Sequence, residues 1–264
     1  MLRTFGCSAF LLVFAAAAAP GQSRNRDAMD CGDMSSDRAY HCEVREETLA
    51  GGNPLDVDAS PNGGIRVRGW DRGDVVLHAR VVAHAETEEE ARRMASEVRV
   101  ETGGGQVRAR GPQRGEDRQW SVSFELSVPQ ASLLTLRTVN GGIDVRDLRG
   151  TVTFKASNGG VRLENVGGEI RGETNNGGVN IELNGDRWDG SGLDVETNNG
   201  GVNLTMPSNY SAELETGTTN GRLRVDFPIT LQGLVGKQIH TTLGAGGPKI
   251  RAMTTNGGVS IRKR

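Results

Sequence analysis

The stretch Thr138-Val139-Asn140-Gly141-Gly142-Ile143 decides the fold, because its core recurs along the chain. Asn-Gly followed one residue later by a branched aliphatic residue occurs seven times, and from Asn140 onward the spacings are 18, 18, 23, 21 and 36 residues. Recurrence at a roughly constant period of this length is the signature of a repeat architecture. The seven asparagines are Asn62, Asn140, Asn158, Asn176, Asn199, Asn220 and Asn256.

Short alternating segments flank the copies of this motif. Residues 134–136 and 143–145 alternate apolar and polar side chains around Asn140, and residues 152–154 and 161–163 do so around Asn158. Two strands of about six residues and two turns fill an 18-residue unit. The last spacing of 36 is twice 18, so we expect one unmarked unit between Asn220 and Asn256.

Two architectures compete for this pattern. Asn-Gly between alternating strands is a strong hairpin signal, because a type I′ turn needs positive φ at both central residues. A solenoid is favoured because stacked units would place Asn over Asn and Thr over Thr in ladders that hairpins do not use. One unit also buries too little aliphatic surface to offset the entropy of ordering its backbone. The threonines that stand two residues before the asparagine are Thr138, Thr174, Thr197, Thr218 and Thr254.

We therefore predict an all-β fold, a β-solenoid or β-roll with repeating turns of about 18–23 residues, in one domain over residues 53–264. Residues 131–264 form its repeat region, and residues 53–130 form an N-terminal cap region. Thr87-Glu88-Glu89-Glu90 has the Ser/Thr-x-x-Glu form that starts a helix. Apolar residues at helical spacing follow, so we place one short α-helix in the cap.

The N-terminus has the layout of an exported protein. Arg3 precedes an uncharged, Leu-, Phe- and Ala-rich stretch, so residues 1–21 are predicted to be a secretory signal peptide. Residues 22–52 are polar and without periodicity, and we interpret them as a flexible tether. Cys31 and Cys42 are predicted to form a disulfide there in an oxidising compartment. The alternative is two unpaired thiols.

Composition restricts the partners. The formal net charge of −2 provides no field that would collect nucleic acid or acidic membranes. No transmembrane segment is expected once the signal peptide is removed. Glycine, at 38 of 264 residues, is concentrated at turns rather than spread as low complexity.

The order of several short sequence motifs resembles that of the bacterial putative-adhesin family. This is a domain of unknown function built on β-solenoids whose turns contain Asn-Gly. The resemblance covers residues 55–264 and implies an exported envelope β-solenoid with no established reaction. The motifs on which the resemblance rests are Gly69-Trp70-Asp71, Val128-Pro129, Thr138-Val139-Asn140-Gly141-Gly142-Ile143, Leu148-Arg149-Gly150, Asn165-Val166-Gly167-Gly168, Leu243-Gly244-Ala245-Gly246-Gly247-Pro248 and Thr254-Thr255-Asn256-Gly257.

The 23-residue unit departs from the regular period and carries the most specific candidate site. Trp188, beside Asp186, Arg187 and Asp189, is a candidate to stack on a sugar ring, but an indole folded back over a solenoid corner is the favoured interpretation. The asparagine column is interpreted as structural, supplying corners tolerant of positive φ and ladder hydrogen bonds.

No motif for metal, cofactor or catalysis is present, so we assign none of these. Calcium-binding β-rolls repeat an Asp at a fixed position of each unit to supply oxygen ligands. The equivalent position here holds residues of several types, which predicts a solvated face. The column of these positions is Arg66, Asp144, Arg162, Asn180, Asn203, Arg224 and Ser260.

The sequence thus favours an exported, non-enzymatic β-solenoid, periplasmic, associated with the outer surface or secreted, that acts as a scaffold or binding protein. A glycan or an envelope protein is the expected partner. The first alternative is a carbohydrate-active β-helix, which clustered Asp, Lys and Arg in a groove would favour. The second is a regulatory envelope protein whose tether carries the interaction.

Overall fold

A computed structural model describes residues 29–32, 38–226 and 236–264. The predicted signal peptide, residues 1–21, lies outside the described residues. The N-terminal half of the described chain contains seven strands and the single helix. These elements are β1 (Ala39–Ala50), β2 (Leu55–Asp58), β3 (Ile65–Trp70), β4 (Asp74–Ala85), α1 (Glu88–Glu97), β5 (Arg99–Glu101), β6 (Gln106–Arg110) and β7 (Gln119–Pro129).

The rest of the described chain is built of strands alone. Apart from β18, strands of eight or nine residues alternate with strands of three to five residues. They are β8 (Leu133–Asn140), β9 (Ile143–Arg146), β10 (Thr151–Asn158), β11 (Val161–Glu164), β12 (Glu169–Asn176), β13 (Val179–Glu182), β14 (Gly192–Asn199), β15 (Val202–Met206), β16 (Ala212–Asn220), β17 (Leu223–Val225), β18 (Gln238–Leu243), β19 (Lys249–Asn256) and β20 (Val259–Lys263).

The strands form two ten-stranded sheets. The first sheet runs β1-β4-β7-β3-β9-β11-β13-β15-β20-β17, and the second runs β18-β16-β19-β14-β12-β10-β8-β2-β6-β5. A coil comprises one second-sheet strand, a corner, and the first-sheet strand that follows it. Neighbouring coils pair in parallel and in register, so that Asn158 is opposite both Asn140 and Asn176. The predicted solenoid is therefore confirmed, and the hairpin alternative is wrong.

Alternation along each strand produces the core. In β10, Val152, Phe154 and Ala156 are buried, whereas Thr153 and Lys155 between them are exposed. The same inward positions recur in every coil, and their side chains join one hydrophobic cluster that extends through the stack. Each coil therefore buries its apolar face only against its neighbours.

Coil order differs from chain order at both ends of the solenoid. In space the coils follow each other as β6/β7, β2/β3, β8/β9, β10/β11, β12/β13, β14/β15, β19/β20 and β16/β17. The chain steps over the β2/β3 coil after Pro129, and it leaves one position open after Met206 that the last coil later fills. At both ends, therefore, neighbouring coils are not successive segments of the chain.

The unmarked unit expected between Asn220 and Asn256 is not a parallel coil in the part of this segment that the structure describes. Residues 236–248 contain β18, which pairs antiparallel with β16 along the edge of the second sheet. Residues 227–235 lie outside the described part of the chain. An antiparallel edge strand needs only a short return of the chain, whereas a parallel coil needs a full crossover.

The N-terminal region caps the other end. Helix α1 begins at the predicted place, where the hydroxyl of Thr87 accepts a hydrogen bond from the amide of Glu90 at 3.2 Å. Its buried face, Ala91, Met94 and Ala95, contributes to the core, and the helix contacts β1 and β4. The single short helix of the prediction is confirmed.

The flexible tether predicted for residues 22–52 is wrong for its second half, because Ala39–Ala50 form β1. This strand pairs with β4 along twelve residues. Its side chains are half-buried or exposed, so it lacks the apolar alternation that would have identified it. Backbone hydrogen bonds to β4 hold it at the sheet edge, together with contacts to α1. The predicted disulfide between Cys31 and Cys42 is confirmed and joins residues 29–32 to this strand.

Candidate functional site

The asparagine side chains form one continuous ladder along the corner between the sheets. Except at Asn62, which only accepts, each Nδ2 donates to the Oδ1 of the asparagine in an adjacent coil at 2.8–3.0 Å. Each amide keeps a second N–H and a lone pair outside the ladder. The ladder follows the spatial order of the coils, which is Asn62, Asn140, Asn158, Asn176, Asn199, Asn256 and Asn220.

The corners do not use the left-handed conformation that we predicted for them. None of the seven asparagines has positive φ, and neither do the glycines that follow them. In the described chain the only non-glycine residues with positive φ are Asp147 and Asn165, at the opposite turn of two adjacent coils. There the Nδ2 of Asn165 donates to the Oδ1 of Asp147 at 2.7 Å.

The two glycines of the motif have different steric roles. A Cβ added at the first glycine would lie 1.8–2.2 Å from a backbone carbonyl oxygen of the adjacent coil, in all seven copies. At the second glycine the nearest atom would be 3.2–3.4 Å away, and the seventh copy carries Arg222 there. Stacking therefore requires the first glycine, whereas a Cβ at the second would need the adjacent coil to shift by a few tenths of an ångström. Arg222 stands on the terminal coil β16/β17, which has no further coil stacked on it.

Buried threonines support these corners from inside. The hydroxyl of Thr174 donates to the carbonyl oxygen of Gly159 in the adjacent coil at 2.9 Å. Four further coils have the equivalent bond, at 2.7–2.8 Å. Ala156 occupies this position in the β10/β11 coil, so the carbonyl oxygen of Gly141 lacks the hydroxyl donor.

Trp188 does not lie at the surface, so its predicted role in stacking on a sugar ring is wrong. Its side chain is 2% exposed and its Nε1 donates to the carbonyl oxygen of Gly168 at 3.0 Å. The amide of Gly168 donates in turn to the carbonyl oxygen of Asp189. These bonds fold the nine-residue connection before β14 against the solenoid, as the favoured interpretation had it.

The charged neighbours of Trp188 remain at the surface of this turn. The side chains of Asp186, Arg187 and Asp189 are 66%, 74% and 83% exposed. Beneath them Tyr210 is buried, and its burial raises the pKa of the phenol to about 12. The structure therefore separates the four predicted site residues into one core side chain and three solvated charges.

The outer face of the second sheet carries interleaved charges of both signs. Arg251 on β19 contacts Asp194 and Glu196 on β14 and Glu215 on β16, its two neighbouring strands. Burial opposes the charge of Arg251, but the hydrogen bonds it donates to Asp194 and Glu196 outweigh this effect and raise its pKa. A depression of about 360 Å³ opens beside these residues, with Lys155, Arg171, Glu173, Asp194 and Glu196 in its lining.

A second depression, of about 330 Å³, lies on the first sheet beside the Asn-Gly corners, and we call it the arginine groove. Three second glycines form its floor, and three arginines and an asparagine stand around it. Met29, which the disulfide holds close to β1, forms part of its wall. The groove residues that the argument uses are Gly64, Gly142, Gly160, Arg66, Arg80, Arg162, Asn180, Asp144 and Met29.

The arginines of the groove differ in their partners. Arg66 pairs with Glu125 at 2.8 Å and Arg162 with Glu164 at 3.1 Å. Arg80 forms no ion pair with any carboxylate in the described chain. Its Nη1 donates to the carbonyl oxygen of Asp30 at 3.4 Å, and its Nε is buried without a partner. Arg80 is therefore the cation of the groove with the largest unused hydrogen-bonding capacity.

Sequence reasoning missed this groove, because it assigned the column containing Arg66, Asp144, Arg162 and Asn180 to a solvated face. Arg80 and Met29 belong to other segments, and only the antiparallel pairing of β4 and the disulfide bring them there. No pattern along the chain connects these positions. The charges on the outward face of β3 and β11 were the only available signal.

Within the described residues, no three or more His, Cys, Asp or Glu side chains are grouped as a metal ion would require. The described helix is too short and too polar to span a membrane.

Comparison with known proteins gives one family and several similar structures. The family model described as Toastrack DUF4097 matches residues 71–262. A search of curated proteins found no match. A putative cell adhesion protein from Clostridium sporogenes is similar at 11% identity, over 84% of this chain and 100% of that one, with a TM-score of 0.45.

Two further solved structures are similar to this chain. A putative adhesin from Bacteroides fragilis has 11% identity, over 85% of this chain and 97% of its own, with a TM-score of 0.42. A putative lipid binding protein from Parabacteroides distasonis has 14% identity, over 85% of this chain and 97% of its own, with a TM-score of 0.40.

Proposed function

Because this chain belongs to the Toastrack DUF4097 family, we propose that it is an exported, non-enzymatic β-solenoid that acts as a rigid binding scaffold in the cell envelope. The observation that carries the proposal is the unbroken asparagine ladder, which holds the corners of seven coils in register. Eight coils at about 4.8 Å per strand make a surface roughly 34 Å long. A long surface of fixed geometry suits an extended partner.

Export is supported by the disulfide. Cys31 and Cys42 are joined, and such bonds persist in oxidising compartments such as the periplasm or the extracellular space. The bond holds residues 29–32 against the solenoid, directly after the segment that we interpret as a signal peptide and its short continuation. Periplasmic, surface-associated and secreted locations all satisfy this requirement.

The state of the carboxylates supports a binding rather than a catalytic role. Glycosidase chemistry needs a pair of carboxyl groups across a cleft, one of them with a raised pKa. On the outer face of the second sheet Asp194, Glu196 and Glu215 share the guanidinium of Arg251 instead. These three carboxylates lie on one sheet face around a shared cation, so they do not form a pair that faces across a cleft.

A carbohydrate-active protein is the second candidate, and the depression on the second sheet favours it. Its lining includes Lys155, Arg171, Asp194 and Glu196. A carbohydrate-active enzyme would present a charged groove of this kind to a polysaccharide. Its carboxylates all lie on one sheet face rather than across a cleft. We therefore rank this function below a binding scaffold.

Glycan-array binding and polysaccharide turnover, measured on the mature chain from Gln22, test the two candidates together. We expect retention of at least one envelope glycan or envelope fraction without release of reducing ends. Turnover that disappears in the Asp194→Asn/Glu196→Gln variant, but survives in Glu88→Gln on helix α1, would establish the enzyme instead. If the folded protein retains no glycan and no envelope fraction, the scaffold proposal is rejected.

A further inference from the structure

The first glycine of the motif uses its backbone amide to bind the adjacent coil. The amide of Gly257 donates to the main-chain carbonyl oxygen of Asn220 at 3.2 Å, and five further copies have the equivalent bond at 3.0–3.1 Å. The seventh copy, Asn220-Gly221, stands on the terminal coil β16/β17, and β18 pairs with β16 only up to Gly217. The amide of Gly221 donates to no acceptor in the described chain.

The side chain of Asn220 is also held less firmly than those inside the ladder. Asn256 accepts a hydrogen bond from Asn220 at its Oδ1 and donates one from its Nδ2 to Asn199, both at 2.9 Å. Asn220 has only the first of these bonds, and no donor of the described chain reaches its own Oδ1. Asn62, at the other end of the ladder, also has a single side-chain bond, but the amide of its glycine is bonded. Asn220 is therefore the ladder residue that lacks both restraints.

An Asn-Gly pair undergoes one reaction that needs no enzyme. The glycine nitrogen, once it has lost its proton, attacks Cγ of the asparagine. A bond between this nitrogen and Cγ forms and the Cγ–Nδ2 bond breaks, so that ammonia leaves and a succinimide ring remains. Water then opens the ring at either of its carbonyl groups, which gives Asp or isoAsp. Asparagine is a thermolabile residue for this reason, and glycine as the next residue leaves the approach to Cγ unobstructed.

A hydrogen bond of the glycine amide opposes the first step of this reaction. The proton of a bonded amide is removed only when the bond opens, as in hydrogen exchange. In the six stacked copies the two coils must therefore separate locally before the ring closes, whereas Gly221 needs no such opening. We propose that Asn220 is a site of spontaneous deamidation in the folded protein, with water as the only co-reactant, and that stacking protects the other six asparagines of the ladder.

Deamidation breaks the ladder at its end. The Nδ2 of Asn220 donates to the Oδ1 of Asn256, whereas a carboxylate has no N–H and places an oxygen against this acceptor. IsoAsp in addition lengthens the main chain by one carbon atom between β16 and β17. The strand β17 has three residues, and its Leu223 and Val225 are only half-buried, so the corner contributes much of its attachment. The modification therefore loosens the terminal coil and leaves the other coils stacked.

The chain contains a matched control for local sequence. Thr218-Thr219-Asn220-Gly221 and Thr254-Thr255-Asn256-Gly257 are the same tetrapeptide, so their intrinsic reactivities differ only through the residue that follows. That residue is Arg222 at one site and Gly258 at the other, and Arg222→Gly removes this difference as well. Both asparagines are exposed, so access of water does not distinguish them. The stacking bond of the glycine amide does.

Peptide mapping by mass spectrometry on the mature chain from Gln22, aged in mildly alkaline buffer, measures deamidation at each asparagine. We expect Asn220 to react at least about tenfold faster than Asn256 in the folded protein, the factor that about 1.4 kcal/mol of opening free energy produces. In urea the two rates should agree within about twofold, because no coils are stacked there. Asn184-Gly185, outside the ladder, is a positive reference, since its glycine amide also lacks an acceptor in the described chain.

Three outcomes of this experiment would overturn the proposal. They are equal rates at Asn220 and Asn256 in the folded chain, an intact Asn220 beside a modified Asn184, and a difference between Asn220 and Asn256 that disappears in Arg222→Gly. Unequal rates in the folded chain that become equal in urea support it. Circular dichroism confirms that the chain and its variant remain folded during ageing.

The loosening of the terminal coil is tested with Asn220→Asp, which reproduces one product of the reaction. We expect faster hydrogen exchange in β17 than in the unmodified chain, with exchange in β10 unchanged. Asn62→Asp is the matched control, because Asn62 only accepts in the ladder and a carboxylate accepts as well, so the bond from Asn140 is kept. Unchanged exchange of β17 in Asn220→Asp would overturn this consequence.

Discussion

The middle of the solenoid and its C-terminal end use the same corner in different chain orders. From β10 to β15 each coil stacks on the one that precedes it in the chain, whereas the coil β19/β20 lies between β14/β15 and the earlier coil β16/β17. Both regions have the same Asn-to-Asn bonds, with 2.9 Å between Asn158 and Asn140 and 2.9 Å between Asn256 and Asn199. The corner therefore specifies how two coils meet but not which two.

Because any two corners can stack, the order of the coils in space can differ from their order in the chain, as it does at both ends of the solenoid. After β7 the three residues 130–132 carry the chain past the position of one coil in the stack. After β15 the five residues 207–211 do the same. Pro129 ends β7 directly before the first connection, and Pro207 begins the second. Proline has no amide hydrogen, so the regular hydrogen-bond pattern of the turn cannot continue through it. The skipped position is then filled by a different part of the same chain.

Removal of the last coil should have the largest effect and tests whether its position is specific. A chain that ends at Pro248 loses the buried side chains of Ile250, Val259 and Ile261, which contribute roughly 5–9 kcal/mol together. We expect denaturant unfolding to show a large loss of stability. A synthetic peptide of residues 249–264 should restore it by filling the open position.

A peptide that carries Ile250→Asp and Ile261→Asp is the matched control and should not restore stability, because it would bury two carboxylates in the core. The opposite result is also informative. A truncated chain as stable as the full one, with no response to the peptide, would mean that β16/β17 moves up against β14/β15. The inserted position would then be dispensable.

Substitution of each of the two glycines at one corner should show which of them is needed for the stacking of the coils. Gly159→Ala places a Cβ 1.9 Å from the carbonyl oxygen of Gly141, so the coils must move apart, and we expect a loss of about 3–5 kcal/mol. Gly160→Ala meets its nearest atom at 3.4 Å and should change the free energy of unfolding by less than about 1 kcal/mol. Urea unfolding of both variants measures the difference. Similar losses in the two would contradict the assignment of stacking to the first glycine alone.

The glycine motif shows how much of the fold the sequence could predict. Its recurrence, with the threonine before it, was sufficient for parallel stacked coils, because identical side chains in register need an architecture that places them there. Chain order was not predictable, since any two corners stack equally well. The strand β1 was missed because its side chains are not buried in alternation, and edge pairing leaves little trace in composition.

The candidate site was less predictable than the fold. Trp188 reads as a surface aromatic among charges, and its burial depends on a backbone acceptor, Gly168, twenty residues away. The arginine groove combines Arg80 from β4, Arg66 from β3 and Met29 from the disulfide-linked segment. These positions meet only through tertiary pairing, so no local pattern could indicate them.

Removal of one asparagine from the middle of the ladder should cost more than removal from its end. Asn158→Ala eliminates two side-chain bonds, to Asn140 and Asn176, whereas Asn220→Ala eliminates only the bond to Asn256. With about 0.5–1.5 kcal/mol per hydrogen bond, we expect losses of roughly 1–3 and 0.5–1.5 kcal/mol. Thermal melting of the two variants is sufficient to rank them. Equal losses would show that the ladder contributes through each corner separately rather than through the bonds between coils.

The smallest effect, a gain, should come from completing the threonine ladder at Ala156. Its neighbours in register are Thr138 and Thr174, and the hydroxyl of Ala156→Thr would reach the carbonyl oxygen of Gly141 as Thr174 reaches Gly159 at 2.9 Å. We expect a gain of about 0.5–1.5 kcal/mol for one buried hydrogen bond. Ala156→Val adds the same volume without a donor, so the difference between the two variants in urea unfolding isolates the bond. If valine stabilises as much as threonine, the gain comes from side-chain volume and not from the hydroxyl. Packing, rather than the hydroxyl ladder, would then explain the threonines of the other coils.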